Sequence, residues 1–198
     1  MRLLAVVAAF LLAGCTYTAQ VSPTAAPAAE VIPERKSNLN ISYYIAPELE
    51  SLTRDASEGH MCSAHKFPVN AGSAIASSLR SVNEAGFASA TAGGTASLPA
   101  PGVDRHLVFQ LEEFSPRLHF ETGWWSGTAI ANTELVLRVV AYDPAGKEVL
   151  RVTIAGSGYG ELDGGCDAGA KALETATNQA IKRTMENYVS RVINAQQI

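Results

Sequence analysis

Cys62 and Cys166, with the histidines around the first, are the residues of this chain best suited to chemistry. His60-Met61-Cys62-Ser63-Ala64-His65 places two imidazoles, a thiol and a thioether within one short segment. Imidazole and sulfur suit copper or zinc, so His60, Cys62 and His65 form one candidate metal set, although their spacing matches no standard closed zinc site. The competing expectation is a Cys62–Cys166 disulfide. It would close a loop of about 100 residues, for which chain entropy gives roughly 4.7 kcal/mol. Oxidation would take from the metal set its strongest ligand. Trp124 and Trp125, with Phe120 nearby, are the candidate binding residues. Two indoles at a turn either form a recognition patch for a partner, glycan or lipid headgroup, or roof the end of the core.

Other chemistry is weakly represented. Gly156-Ser157-Gly158-Tyr159-Gly160 lacks the spacing of a nucleophile elbow, and its glycines are expected to mark the frayed end of a strand. Glu112 and Glu113 are adjacent, so on a strand they point to opposite faces and make no carboxylate pair. His106 and His119 read as surface residues of strands. The expectation is a protein without catalysis and without a cofactor.

Cys15 stands apart. It closes Leu12-Ala13-Gly14-Cys15 at the end of an apolar run that begins at Leu3, behind Arg2. That order is a secretory signal, too short to span a bilayer, which needs roughly 20 apolar residues. The four residues resemble the lipobox of bacterial lipoproteins, in which a peptidase cuts before the Cys and the thiol carries a diacylglyceryl group. The resemblance implies removal of residues 1–14 and membrane attachment through lipid on Cys15. Three cysteines in an exported chain then divide into one lipidated and two able to pair. The formal charge of −4, and the loss of Arg2 with the leader, make nucleic acid a poor partner, because phosphate binding needs a clustered basic face.

The elements that must position these residues follow in order. Residues 15–38 read as a lipidated Cys and a tether rich in Pro and Ala, with no periodic apolar face. Extended, about 20 such residues reach on the order of 60 Å. Val31-Ile32 leaves open that part of the arm packs on the domain. Residues 39–198 are expected to form one periplasmic α+β domain. Its first strand is Leu39 to Ala46, where Leu39, Ile41, Tyr43 and Ile45 alternate with smaller or polar residues. Asn70 to Phe87 predicts a helix with Asn70 as cap, a stripe of Ile75, Leu79 and Val82, and Gly86 as a left-handed end. Ala88 to Val103 is rich in small residues and predicts a loop or a weak edge strand. Three strands follow, from Arg105, Thr128 and Glu148, with Pro116 suggesting an edge or a bulge. A long helix runs from about Cys166 to Asn194, with Asp163 or Asp167 as cap and Leu173, Ala176, Ala180, Thr184, Tyr188 and Val192 as its buried stripe. The expected architecture is a mainly antiparallel sheet of about four strands, strand-helix-meander-helix, with two helices on one face. If the first strand runs up, both helices run down and start at the same end, which brings Cys62 and Cys166 to that end.

Leu12-Ala13-Gly14-Cys15, the helix around Ala74 to Leu79, the strand Glu134 to Asp143 with Gly146-Lys147 after it, and the helix from Ala168 to Val192 together resemble the YajG-like group of small bacterial outer-membrane lipoproteins. That group is similar in layout to the LPS-assembly lipoprotein LptE and to the curli and penicillin-binding-protein-activator type domains. The resemblance implies an outer-membrane anchor, a domain facing the periplasm, an envelope protein, cell-wall or lipid partner, and a role in envelope assembly or upkeep. The absence of Asp after Cys15, where Thr16 stands, favours outer-membrane sorting.

Overall fold

A computed structural model describes residues 19–20, 31–58, 62, 65–122 and 127–195. The elements are β1 (Ala19–Gln20), β2 (Ser37–Ile45), α1 (Pro47–Glu50), β3 (Thr53–Asp55), β4 (Ser57–Glu58), β5 (Pro68–Asn70), α2 (Gly72–Gly86), β6 (Phe87–Ala92), β7 (Arg105–Thr122), β8 (Gly127–Tyr142), β9 (Glu148–Asp163) and α3 (Cys166–Tyr188). A π-helical turn, Val189–Ile193, continues α3. The main sheet has the order β6-β2-β7-β8-β9, and β4 pairs with β7 off that path. A small second sheet has the order β1-β5-β3.

This corrects the expected mainly antiparallel sheet of four strands. The main sheet is mixed: β2 runs parallel to both β6 and β7, whereas β7-β8-β9 is the antiparallel meander. The difference lies in β6. Phe87 is its one buried residue, and Ala88-Ser89-Ala90-Thr91-Ala92 carries no apolar alternation to announce a strand. Parallel neighbours need a crossover, and α2 supplies it between β2 and β6. The long return from β6 to β7 restores the upward direction of the meander.

One apolar cluster holds the fold. Ile41, Leu107, Phe109, Leu135, Leu137 and Val139 of the sheet meet Ile75, Leu79 and Val82 of α2 and Leu173, Ile181, Met185 and Val192 of α3. The inward phase of β7 changes midway, from Leu107 and Phe109 to Phe114 and Leu118. A bulge between Leu111 and Glu113 causes this, because one extra residue flips every later side chain. Pro116 sits between the stretch of β7 paired with β2 and the stretch paired with β4, where its missing N–H breaks no second ladder.

Helix α3 lies on β9 more closely than side chains normally allow. Gly156, Gly158 and Gly160 face Ala180, Ala176 and Ala172 in turn. A Cβ on Gly158 would stand 1.8 Å from the Ala176 carbonyl oxygen. Two residues of strand advance about 6.7 Å and four of helix about 6 Å, so the glycine and alanine rows stay in step. The same match serves the free edge of β9. Gln179 Oε1 accepts from Tyr159 N at 3.2 Å. Arg183, Asn187 and Arg191 donate to the carbonyls of Ser157, Ala155 and Thr153 at 2.8, 2.6 and 2.9 Å. One row of α3, at spacing four, therefore occupies the outward backbone groups of an edge strand. The run Gly156 to Gly160 is a helix-packing stripe rather than a frayed end.

The helix ends also differ from expectation. Neither helix has a side-chain cap: Ala71 precedes α2 and Gly165 precedes α3. Asn70 belongs to β5 and accepts from Thr53 at 2.8 Å, while Asp163 accepts from Thr128 at 2.7 Å. Gly86 is not left-handed. It ends α2 where a Cβ would meet Ile193 Cδ1 at 2.6 Å, and Phe87 passes directly into β6. Part of the expected tether packs on the domain: Val31 is buried in the core, and Ala19–Gln20 pairs with Val69–Asn70.

Candidate functional site

The site is built at one end of the main sheet. Strands β7 and β8 meet there through the Thr122–Gly127 pair, and the end of β9 is tied to them by Gly164 N donating to Gly127 O at 2.8 Å. Helix α3 starts at this end with Cys166, and Cys166 is disulfide-bonded to Cys62 with Cα atoms 5.8 Å apart. The expected pairing is present, and the sequence separation of 104 residues makes it a long-range staple.

Cys62 occupies the left-handed backbone region at φ 62°, and His65 N donates to Cys62 O at 2.8 Å. This Cys-x-x-His turn sets the two side chains on one side. The sulfurs of Cys62 and Cys166 and a ring nitrogen of His65 lie within 4.8 Å of one another, all three residues half-buried. Phe67 forms the floor, buried completely, with ring centroids 6.5 Å from His65 and 6.4 Å from Phe120. Gly169 lets the first turns of α3 rest on that floor: a Cβ there would meet Leu118, Phe120 and Phe67 at 2.9 to 3.1 Å.

In this oxidised state the sulfurs offer no thiolate, so the arrangement has neither a nucleophile nor a metal ligand of full strength. It can undergo thiol–disulfide exchange, because the pair is partly exposed and Cys166 opens a long helix whose N-terminal dipole favours a leaving thiolate.

His65 joins the cysteine pair. Cys15, His60, Trp124 and Trp125 lie outside the described residues. In sequence, Trp124 and Trp125 lie between Thr122 and Gly127. His119 is an exposed strand residue, 3.8 Å from Glu121.

His106 departs from its expected surface position. It is fully buried, 2.7 Å from Ser42 Oγ through Nδ1 and 2.7 Å from Thr95 O through Nε2. The carbonyl can only accept, so Nε2–H donates to Thr95 O. Ser42 Oγ in turn accepts from Ala100 N at 3.3 Å. A Ser–His hydrogen bond is the start of a nucleophile, but both side chains are sealed, and their partners are the backbone of the 93–104 connection. The pair pins that connection to β2 and β7. Sixty-four residues separate Ser42 from His106, and no local signal in the sequence links them.

On the solvent face of the meander, Ser115, Arg117, Asn132, Tyr159 and Arg183 line an open groove of about 200 Å³. The Tyr159 hydroxyl donates to Glu161, and that bond raises its pKa from the ordinary value. No helix among the described residues is long and apolar enough to cross a membrane.

No family model and no curated protein matches the sequence. Among solved structures, the chain is similar to a neuraminyllactose-binding hemagglutinin homologue from Helicobacter pylori, with 12% identity over 81% of this chain and 86% of that one and a TM-score of 0.41. It is also similar to a minor lipoprotein from Acinetobacter baumannii, with 9% identity over 82% and 96% of the two chains and a TM-score of 0.37. Both likenesses are too distant to carry over a ligand or a site.

Proposed function

We propose that this chain is an exported lipoprotein, anchored in the outer membrane through Cys15, whose domain binds a component of the periplasmic envelope without catalysing a reaction. The observation that carries the reading is Leu12-Ala13-Gly14-Cys15 behind a short apolar run. The Cys62–Cys166 bond supports it, since structural disulfides belong to oxidising compartments and this one leaves Cys15 as the odd thiol. The YajG-like resemblance of the sequence supports a place in envelope assembly or upkeep.

The arm adds a direction. Ala19 pairs in parallel with Val69, so the described start of the arm lies at the Phe67 end of β5. Only a few residues lie between Cys15 and Ala19, a reach of about 14 Å at full extension. The disulfide end then stands close to the membrane and offers the surface to which we assign the partner or lipid headgroup.

Cell fractionation tests the reading. The wild-type chain should sediment with outer membranes, and a Cys15→Ser variant should leave the outer-membrane fraction, held at the inner membrane by its uncleaved leader or released soluble. A variant that still fractionates with the outer membrane contradicts the anchor.

A further inference from the structure

We propose that the Cys62–Cys166 disulfide is the closed state of a metal site, and that reduction opens it to bind one borderline-to-soft d¹⁰ cation through Cys62, Cys166 and His65. The inference rests on the three-residue cluster and not on the membrane anchor.

The ligand set is already gathered. Two sulfurs and one imidazole nitrogen lie within 4.8 Å of one another, and they come from two distant parts of the chain. Cys62 and His65 belong to one hydrogen-bonded turn, with His65 N on Cys62 O at 2.8 Å. Cys166 is held from the opposite side by the first turn of α3. Tetrahedral zinc with Zn–S bonds near 2.3 Å needs sulfurs about 3.8 Å apart, so opening the disulfide and letting the sulfurs separate modestly suffices. The anchor points do not have to move far. Cys166 is fixed by α3, His65 stands against the buried ring of Phe67, and Gly169 seats the start of α3 on that ring.

The ligand chemistry selects the ion. Two thiolates and an imidazole suit Zn²⁺ or Cu⁺, and they discriminate against Mg²⁺ and Ca²⁺, which take oxygen ligands. Three protein ligands leave a fourth position on zinc for water or an external ligand. The N-terminus of α3 favours the thiolate of Cys166 over the thiol.

The redox step balances with a dithiol reductant. One of its thiolates attacks a sulfur of the pair and releases the other cysteine as thiolate. The second thiol of the reductant then resolves the mixed disulfide. The reductant leaves as its own disulfide, and Cys62 and Cys166 are left as thiols. Binding of the cation displaces one proton from each.

The test uses the full-length chain carrying Cys15→Ser, so that Cys62 and Cys166 hold the only sulfhydryl groups. Oxidised and dithiol-reduced samples, freed of reductant under anaerobic conditions, are titrated with Zn²⁺ against a chromophoric chelator, and circular dichroism follows the fold. The expected result is one Zn²⁺ per reduced chain and none per oxidised chain. His65→Ala should weaken binding by roughly tenfold or more, and Co²⁺ in place of Zn²⁺ should give thiolate charge-transfer and tetrahedral d–d bands that change with His65→Ala. Equal zinc uptake by the oxidised and reduced chains overturns the proposal. So does a reduced chain that takes up none, or one whose affinity and Co²⁺ spectrum ignore His65→Ala, including a reduced chain that has unfolded and binds through its cysteines alone.

Discussion

Tyr188 shows how much one buried polar contact can control. Its ring is fully buried, edge-on to Phe109 at a centroid distance of 5.4 Å, and its hydroxyl donates to Asn83 at 2.7 Å across the contact between α2 and α3. Tyr188→Phe keeps the packing but leaves the Asn83 carbonyl oxygen buried without its donor. We expect a loss of about 1 to 3 kcal/mol, read as a lower urea midpoint with an unchanged slope. Burial also raises the Tyr188 pKa well above its ordinary 10.0. The folded state thus keeps the proton that the unfolded chain gives up. The stability linked to this proton is fully present below pH 10 and is lost as pH rises from there toward the folded value. Alkaline titration of unfolding should show a steep fall above pH 10 that Tyr188→Phe makes shallower, and identical slopes in both proteins would contradict the assignment. The residue scale is also where sequence reading reached least. The buried stripe of α3 was legible down to Tyr188, but its partner on α2 was not. The Ser42–His106 pair was invisible because each residue alone reads as an ordinary polar position on a strand.

At the scale of elements, β9 and α3 are one unit. The glycines at 156, 158 and 160 admit the helix backbone, and the row Gln179, Arg183, Asn187 and Arg191 closes the strand edge. Gly158→Ala should force these elements apart and cost about 3 kcal/mol or more, the upper range for overpacking, because the obstacle is backbone rather than a movable side chain. A thermal melt no lower than wild type would contradict the packing. The edge row belongs to a different experiment. Replacing Arg183, Asn187 and Arg191 together by Ala exposes three carbonyls of an edge strand while leaving the core intact. The expected outcome is concentration-dependent self-association by light scattering with only a small change in midpoint, since unprotected edges template pairing. The β-strands with regular alternation and the amphipathic helices were readable in the sequence, because burial of one face writes a period into it. The parallel edge strand β6 was legible only as one of two alternatives, a loop or a weak edge strand, and stayed out of the four-strand count because only Phe87 of that strand reaches the core. Its absence from the expected layout is what made the sheet look mainly antiparallel. The positions of Cys62 and Cys166 survived the omission, since β6 and the connection after it leave the direction of the meander unchanged.

For the whole molecule, the disulfide and the arm decide how the domain is held. The bond closes a loop across 104 residues and joins the start of α3 to the connection that precedes β5. Replacing both Cys62 and Cys166 by Ser should lower stability by roughly 4 to 5 kcal/mol in the chain-entropy model, measured by urea unfolding. A change below about 1 kcal/mol would mean that the reduced chain already holds these segments together. The same bond fits the cysteine count expected of an exported chain. With Cys62 and Cys166 paired, Cys15 is the remaining thiol of the sequence, the one to which we assign the proposed lipid. The proposed compartment and anchor therefore both rest on one modification, that of Cys15. Mass spectrometry of the protein extracted from its own membranes tests it most directly. The account predicts a chain that begins at Cys15, heavier than its sequence by a diacylglyceryl group with or without an additional acyl chain, and lighter by two hydrogen atoms for the Cys62–Cys166 bond. A chain that retains residues 1–14, or one with a free thiol at Cys15, would contradict it.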